Sequence, residues 1–143
     1  MPAWPTSWSP NATPKPGVSS PVLDSSAVLA LLLAEPGADK VMAVLPDACL
    51  SAVNAAEVVA KLCERGMPET EARAAVEGLG LDIVAFDFGQ ACASGGLRPA
   101  TRSLGLSLGD RACLGLAIQT DAVALTTDAA WSRVAGARVA VIR

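Results

Sequence analysis

Short apolar runs alternate with longer helix-compatible segments from residue 21 to the C-terminus, and this alternation most constrains the fold. The runs near 21–23, 48–51, 81–86, 122–125 and 138–142 read as strands. Segments 25–34, 37–44, 53–65, 68–77, 87–96, 109–119 and 128–135 read as helices between them. Gly and Pro punctuate most of the boundaries, at Pro36-Gly37, Pro46, Gly66, Pro68, Gly78 and Gly80. Strands alternating with helices predict an α/β domain with a mainly parallel central sheet covered by helices on both faces. Right-handed crossovers follow from strand twist. The segment 97–105, with Pro99, Gly105, Arg98, Arg102 and Thr101, reads as a loop.

The chain of 143 residues suits one domain with a real core. A hydrophobic share of 52% against 17% charged argues against disorder for the bulk, and with only 3% aromatics the core must be built from Ala, Val, Leu and Ile. The longest apolar run, Ala27 to Ala34, falls short of the roughly 18 residues of a membrane span. Residues 1–20, rich in Pro and Ser, lack the apolar core and basic start of a secretory signal and read as a flexible extension of a domain over 21–143. Cys49, Cys63, Cys92 and Cys113 are widely spaced, and with no histidine they form no zinc pattern. Three of the four fall in apolar patterns, where a reduced thiol behaves as a small hydrophobe, which suits a cytoplasmic location.

Four acids stand out by position. Asp24, Asp110 and Asp128 follow short apolar runs, and Glu57 lies on the helical stretch after Ala48-Cys49-Leu50. Ligands of open α/β sheets bind at the carboxyl ends of strands, so acids converging there suit a hard cation held by oxygen. Each acid also has a purely structural explanation. Asp24 and Asp128 suit helix starts, and Asp110, three residues after Ser107, suits a capping box. Glu57 suits an i, i+4 pair with Lys61, and Asn54 either orients a carboxylate or caps the helix.

The net charge of −3 speaks against a nucleic-acid binder at first sight. Without the four acids, the remaining ten Asp and Glu are balanced by eleven Lys and Arg, so a polyanionic substrate is not excluded. Arg98, Arg102 and Arg111 are candidate phosphate contacts. The lack of histidine disfavours metal-independent cleavage through the ribose 2′-oxygen, which usually relies on an imidazole.

Four segments together resemble the motifs of PIN-domain ribonucleases: Val22-Leu23-Asp24-Ser25-Ser26-Ala27, Ser51 to Glu57, Leu106 to Ala112, and Leu125 to Trp131. They occur in the family's order and spacing, and toxins of the VapC type are the nearest in pattern. The resemblance implies a PIN-like three-layer sandwich. It further implies that Asp24, Glu57, Asp110 and Asp128 bind Mg²⁺ or Mn²⁺, supported by Asn54 and Thr126, while Trp131 packs the core. The implied activity is endoribonuclease cleavage of RNA. The implied partners are a cognate antitoxin, a second copy in a homodimer, and DNA only through the antitoxin. Three other readings compete: a PIN-fold scaffold without cleavage, a receiver-like phosphoacceptor domain, and a DNA-directed nuclease. The receiver reading fits poorly, because the chain lacks paired acids after its first strand and has no Lys after residue 61.

Overall fold

The structure, a computed structural model, describes residues 20–143; the expected extension over 1–20 lies, apart from Ser20, outside the described residues. The elements run β1 (Val22–Leu23), α1 (Ser25–Leu32), α2 (Ala38–Val44), β2 (Cys49–Ser51), α3 (Ala52–Glu64), α4 (Glu69–Glu77) and β3 (Asp82–Val84). They continue with α5 (Phe88–Gly96), α6 (Arg98–Thr101), α7 (Leu108–Gln119), β4 (Val123–Thr126) and β5 (Arg138–Val141). Single 3-10 turns occupy Leu45–Asp47, Arg102–Leu104 and Ala129–Arg133.

The five strands form one sheet in the order β3-β2-β1-β4-β5, and every neighbouring pair is parallel. The mainly parallel sheet expected from the sequence is parallel throughout. Central strands of such a sheet are buried on both faces, which explains why their runs are apolar without polar alternation. Leu23, Leu50, Leu125 and Ala140 pack with Ala27, Val28, Val41, Val58 and Leu62 on one face. Val22, Cys49, Ala124 and Val139 pack with Leu106, Cys113, Leu114 and Trp131 on the other. The period of two along β1, β2, β4 and β5 thus feeds two cores, with helices outside both, and makes a three-layer sandwich. Gly37 (φ +98°) closes the turn into α2, and a Cβ there would lie 2.7 Å from the Ile142 carbonyl oxygen, so the turn packs directly on the chain leaving β5.

The strand order places a switch at the sheet's centre. From β1 the chain moves outward through β2 to β3, then returns to lay β4 against the other side of β1. Crossovers that leave in opposite directions open a crevice at the carboxyl ends of β1 and β4. There the Asp24 amide extends the ladder by donating to the Leu125 carbonyl at 2.9 Å.

Two expected elements differ. The segment 97–105 is not a loop but α6 followed by a 3-10 turn. Pro99 sits at the start of α6, where its missing N–H costs nothing, and Gly105 (φ +67°) ends the run. Thr101 is buried there and donates its hydroxyl to the Leu97 carbonyl at 2.8 Å. The helix expected over 128–135 is the 3-10 turn Ala129–Arg133, which seats the buried Trp131.

Candidate active site at the switch point

Asp24 follows β1 directly and is 3% exposed. It occupies the N-cap position of α1 yet makes no side-chain capping bond. Its Oδ2 instead accepts from the Ser26 hydroxyl at 2.6 Å and the Thr126 hydroxyl at 3.0 Å. Both hydroxyls in turn accept main-chain N–H groups, Ser26 from Thr127 at 3.1 Å and Thr126 from Asp128 at 3.1 Å. Those amides leave each hydroxyl proton directed at Asp24, so one carboxylate oxygen is saturated. The other has only a long contact, 3.5 Å, from the Ser25 hydroxyl. Burial pushes the Asp24 carboxyl up to about 6; the Ser26 and Thr126 hydrogen bonds oppose this, and the charges of Asp110 and Glu57 add to it.

Glu57 projects from α3 toward the start of α7. Lys61 pairs with Glu64 at 3.6 Å, so the Glu57–Lys61 pair of the surface reading does not form. Asn54 does not cap α3 either, because Ser51 does so by accepting from the Val53 amide. The Asn54 amide instead donates to Glu57 Oε1 at 2.9 Å and to the Gly109 carbonyl at 3.0 Å.

Asp110 realises the capping box expected of it: its Oδ2 accepts from the Ser107 amide at 2.9 Å, and the Ser107 hydroxyl accepts from the Asp110 amide at 3.2 Å. Asp128 likewise caps its 3-10 turn, accepting from the Ala130 amide at 2.9 Å. It is exposed and joins the inner acids through its main chain, by the Thr126 hydroxyl. The structure therefore brings Asp24, Glu57 and Asp110 within electrostatic reach and keeps Asp128 at the rim. Among the described residues none of the four is ion-paired, and no group of three or more acids or thiols closes to a metal-holding geometry.

The donor set nonetheless suits a hard divalent cation. It is all oxygen, without histidine, and the buried Asp24 carboxylate feels the charges of Asp110 and Glu57 while, among the described residues, it pairs with no cationic side chain. Arg111, next to Asp110, is turned away and donates to the Ser94 carbonyl at 3.1 Å. Arg98 and Arg102 are exposed on α6 and the turn after it. Sequence reasoning missed two residues here. Ser26 was marked only by its place two residues beyond Asp24. Gly109 carries the single signal of a glycine just before an acid.

The fold is a doubly wound, all-parallel α/β domain whose switch point holds Asp24, with Glu57 and Asp110 within electrostatic reach of it. The chain belongs to the PIN domain family, whose model matches residues 22–137. No curated protein matches the sequence. Among solved structures the chain is similar to the toxin-antitoxin complex from Klebsiella pneumoniae, at 20% identity and TM-score 0.70, covering 87% of this chain and 98% of that one. It is also similar to DNA-bound VapBC from Salmonella typhimurium, at 18% identity and TM-score 0.68 over 86% and 98% of the two chains. VapBC-5 from Mycobacterium tuberculosis matches at 22% identity and TM-score 0.55 over 87% and 98%. At such identities these likenesses establish the fold. No helix among the described residues is long and apolar enough to cross a membrane.

Proposed function

We propose that this protein is a metal-dependent endoribonuclease of the VapC type, the toxin of a toxin–antitoxin pair. The observation that carries this reading is the buried Asp24 carboxylate at the switch point, opposed by the charges of Asp110 and Glu57 and, among the described residues, paired with no cationic side chain. Asp24, Glu57, Asp110 and Asp128 are the residues that would hold Mg²⁺ or Mn²⁺. When bound, such an ion supplies an activated water and stabilisation of the leaving oxygen for in-line phosphodiester hydrolysis. Ser26 and Thr126 hold one oxygen of Asp24 and leave the other with only the long Ser25 contact. Asn54 holds Glu57. Asp110 offers the oxygen that its capping box leaves unused. Arg98 and Arg102 are proposed to meet RNA phosphates. Arg111, taken up by Ser94, is the weakest of the three arginines.

The toxin–antitoxin complexes among its structural relatives support a cognate antitoxin as partner. DNA contact then comes through the antitoxin, and a cytoplasmic homodimer is the expected form. The caps made by Asp110 and Asp128 favour one competing reading, a PIN-fold scaffold without cleavage. One assay separates the two. Purified protein should cut 5′-labelled RNA with Mg²⁺ or Mn²⁺ and leave 5′-phosphate ends, and both EDTA and Asp24→Asn should abolish cleavage. Full cleavage in either condition overturns the metal mechanism, and no cleavage under any condition favours the scaffold.

A further inference from the structure

We propose that Gly109 and Asn54 form a seat that fixes the Glu57 carboxylate beside Asp110, an inference that rests on the nuclease reading above. Gly109 is the second residue of α7, between Leu108 and Asp110, and it is buried. Its φ lies outside the left-handed region, so backbone conformation gives no reason for glycine there. Inside a helix, glycine is also a poorer choice than alanine. Space is the reason: a Cβ at this position would lie 2.2 Å from Glu57 Oε2 and 2.3 Å from Oε1 and Cδ. The carboxylate occupies the volume that any other side chain would need.

Asn54 completes the seat. It is fully buried, and its Nδ2 donates both to Glu57 Oε1 and to the Gly109 carbonyl. Both partners are acceptors only, which fixes the orientation of the amide. Its Oδ1 is buried without a partner among the described residues, so the amide satisfies its donors at the expense of its acceptor. Leaving a buried acceptor unmet is costly, and here that cost is accepted to tie α3 to the first turn of α7. Glu57 is thereby carried by the same helical turn that bears Asp110, and the two acids move as one unit. Asn54 and Gly109 are positioning residues.

The group opposing a new methyl at residue 109 is the far end of a flexible side chain, so Gly109→Ala should fold and displace only Glu57. Three measurements test this on the full chain: thermal melting in EDTA, calorimetric titration with Mn²⁺, and NMR of protein labelled with ¹⁵N-asparagine. Asn11 and Asn54 are the only asparagines, so the Asn54 side-chain amide is readily assigned. Gly109→Ala should melt no lower than wild type, bind Mn²⁺ about tenfold or more weakly, and shift the Asn54 amide resonances in the metal-free state. In a Glu57→Ala background the same substitution should cause no further loss of affinity. Wild-type Mn²⁺ affinity in Gly109→Ala, or an equal loss in both backgrounds, overturns the seat. If the wild type binds no divalent ion, the nuclease reading fails instead. The Asn54 resonances then still decide the seat, because identical positions in wild type and Gly109→Ala would refute it.

Discussion

At the scale of single residues, burial places an electrostatic load on Asp24. Its carboxyl rises from 3.8 to about 6 on folding, chiefly through burial. The folded chain therefore holds this proton more tightly than the unfolded chain does. The resulting stabilisation is complete below about pH 3.8 and is lost as pH rises through 6, at a cost on the order of 3 kcal/mol at neutral pH in the absence of metal. Asn in place of Asp24 avoids that cost, because its carbonyl oxygen can accept the same Ser26 and Thr126 protons. Asp24→Asn should melt higher than wild type in EDTA at pH 7.5, and the gap should close by about pH 4. Saturating Mg²⁺ should raise only the wild-type melting curve. Equal melting of the two proteins in EDTA across this range would show that Asp24 carries no such load. The position of Asp24 was legible in sequence because a strand end followed by Ser-Ser is a local pattern. Ser26 and Gly109 were not, because each acts on a partner that only the fold supplies: Ser26 lies 100 positions from Thr126, and Gly109 meets Glu57 from another helix.

At the scale of elements, α7 gives one residue two tasks. Asp110 closes a capping box and also turns charge toward Asp24. Both descriptions were open in the sequence, and the structure realises the capping one without removing the other. Helix N-termini favour acids for reasons that have nothing to do with catalysis, so position alone cannot separate the two roles. Their energetics can. Ser107→Ala removes the hydroxyl that accepts from the Asp110 amide but keeps the main-chain donor that holds Asp110 Oδ2. It should cost about 1 kcal/mol in chemical denaturation and leave divalent-ion affinity within a few-fold of wild type. A large loss of affinity would mean that the hydroxyl itself helps to aim Asp110 at the metal. Local signals do not separate turn from helix at α6 or in the 3-10 turn after β4. Pro99 and Gly105 look like loop signals, yet one starts a helical turn and the other ends it. The stretch after β4 has helical composition but is shaped by the need to bury Trp131.

At the scale of the whole molecule, the alternation of strands and helices made a parallel α/β sheet legible, whereas the strand order was not. Every strand run is similarly apolar, so nothing local states that β4 returns beside β1, and that return is what brings Asp24 and Thr126 together. The same topology sets how an acidic protein can meet RNA. The net charge is −3, and the four candidate ligands account for more than that excess. Without a divalent ion the crevice repels phosphate, while Arg98 and Arg102 lie exposed on the chain leading into α7. RNA affinity should therefore depend first on the ion and only then on the arginines. In fluorescence anisotropy with a short labelled RNA, the non-cleaving Asp24→Asn variant should bind weakly, and wild type in Ca²⁺ should bind more tightly than wild type in EDTA. Arg98→Ala with Arg102→Ala should weaken binding in Ca²⁺ and flatten the salt dependence by about 0.7 in log–log slope for each phosphate left without its arginine. An unchanged slope would place the RNA path on a different face of the domain, away from α6.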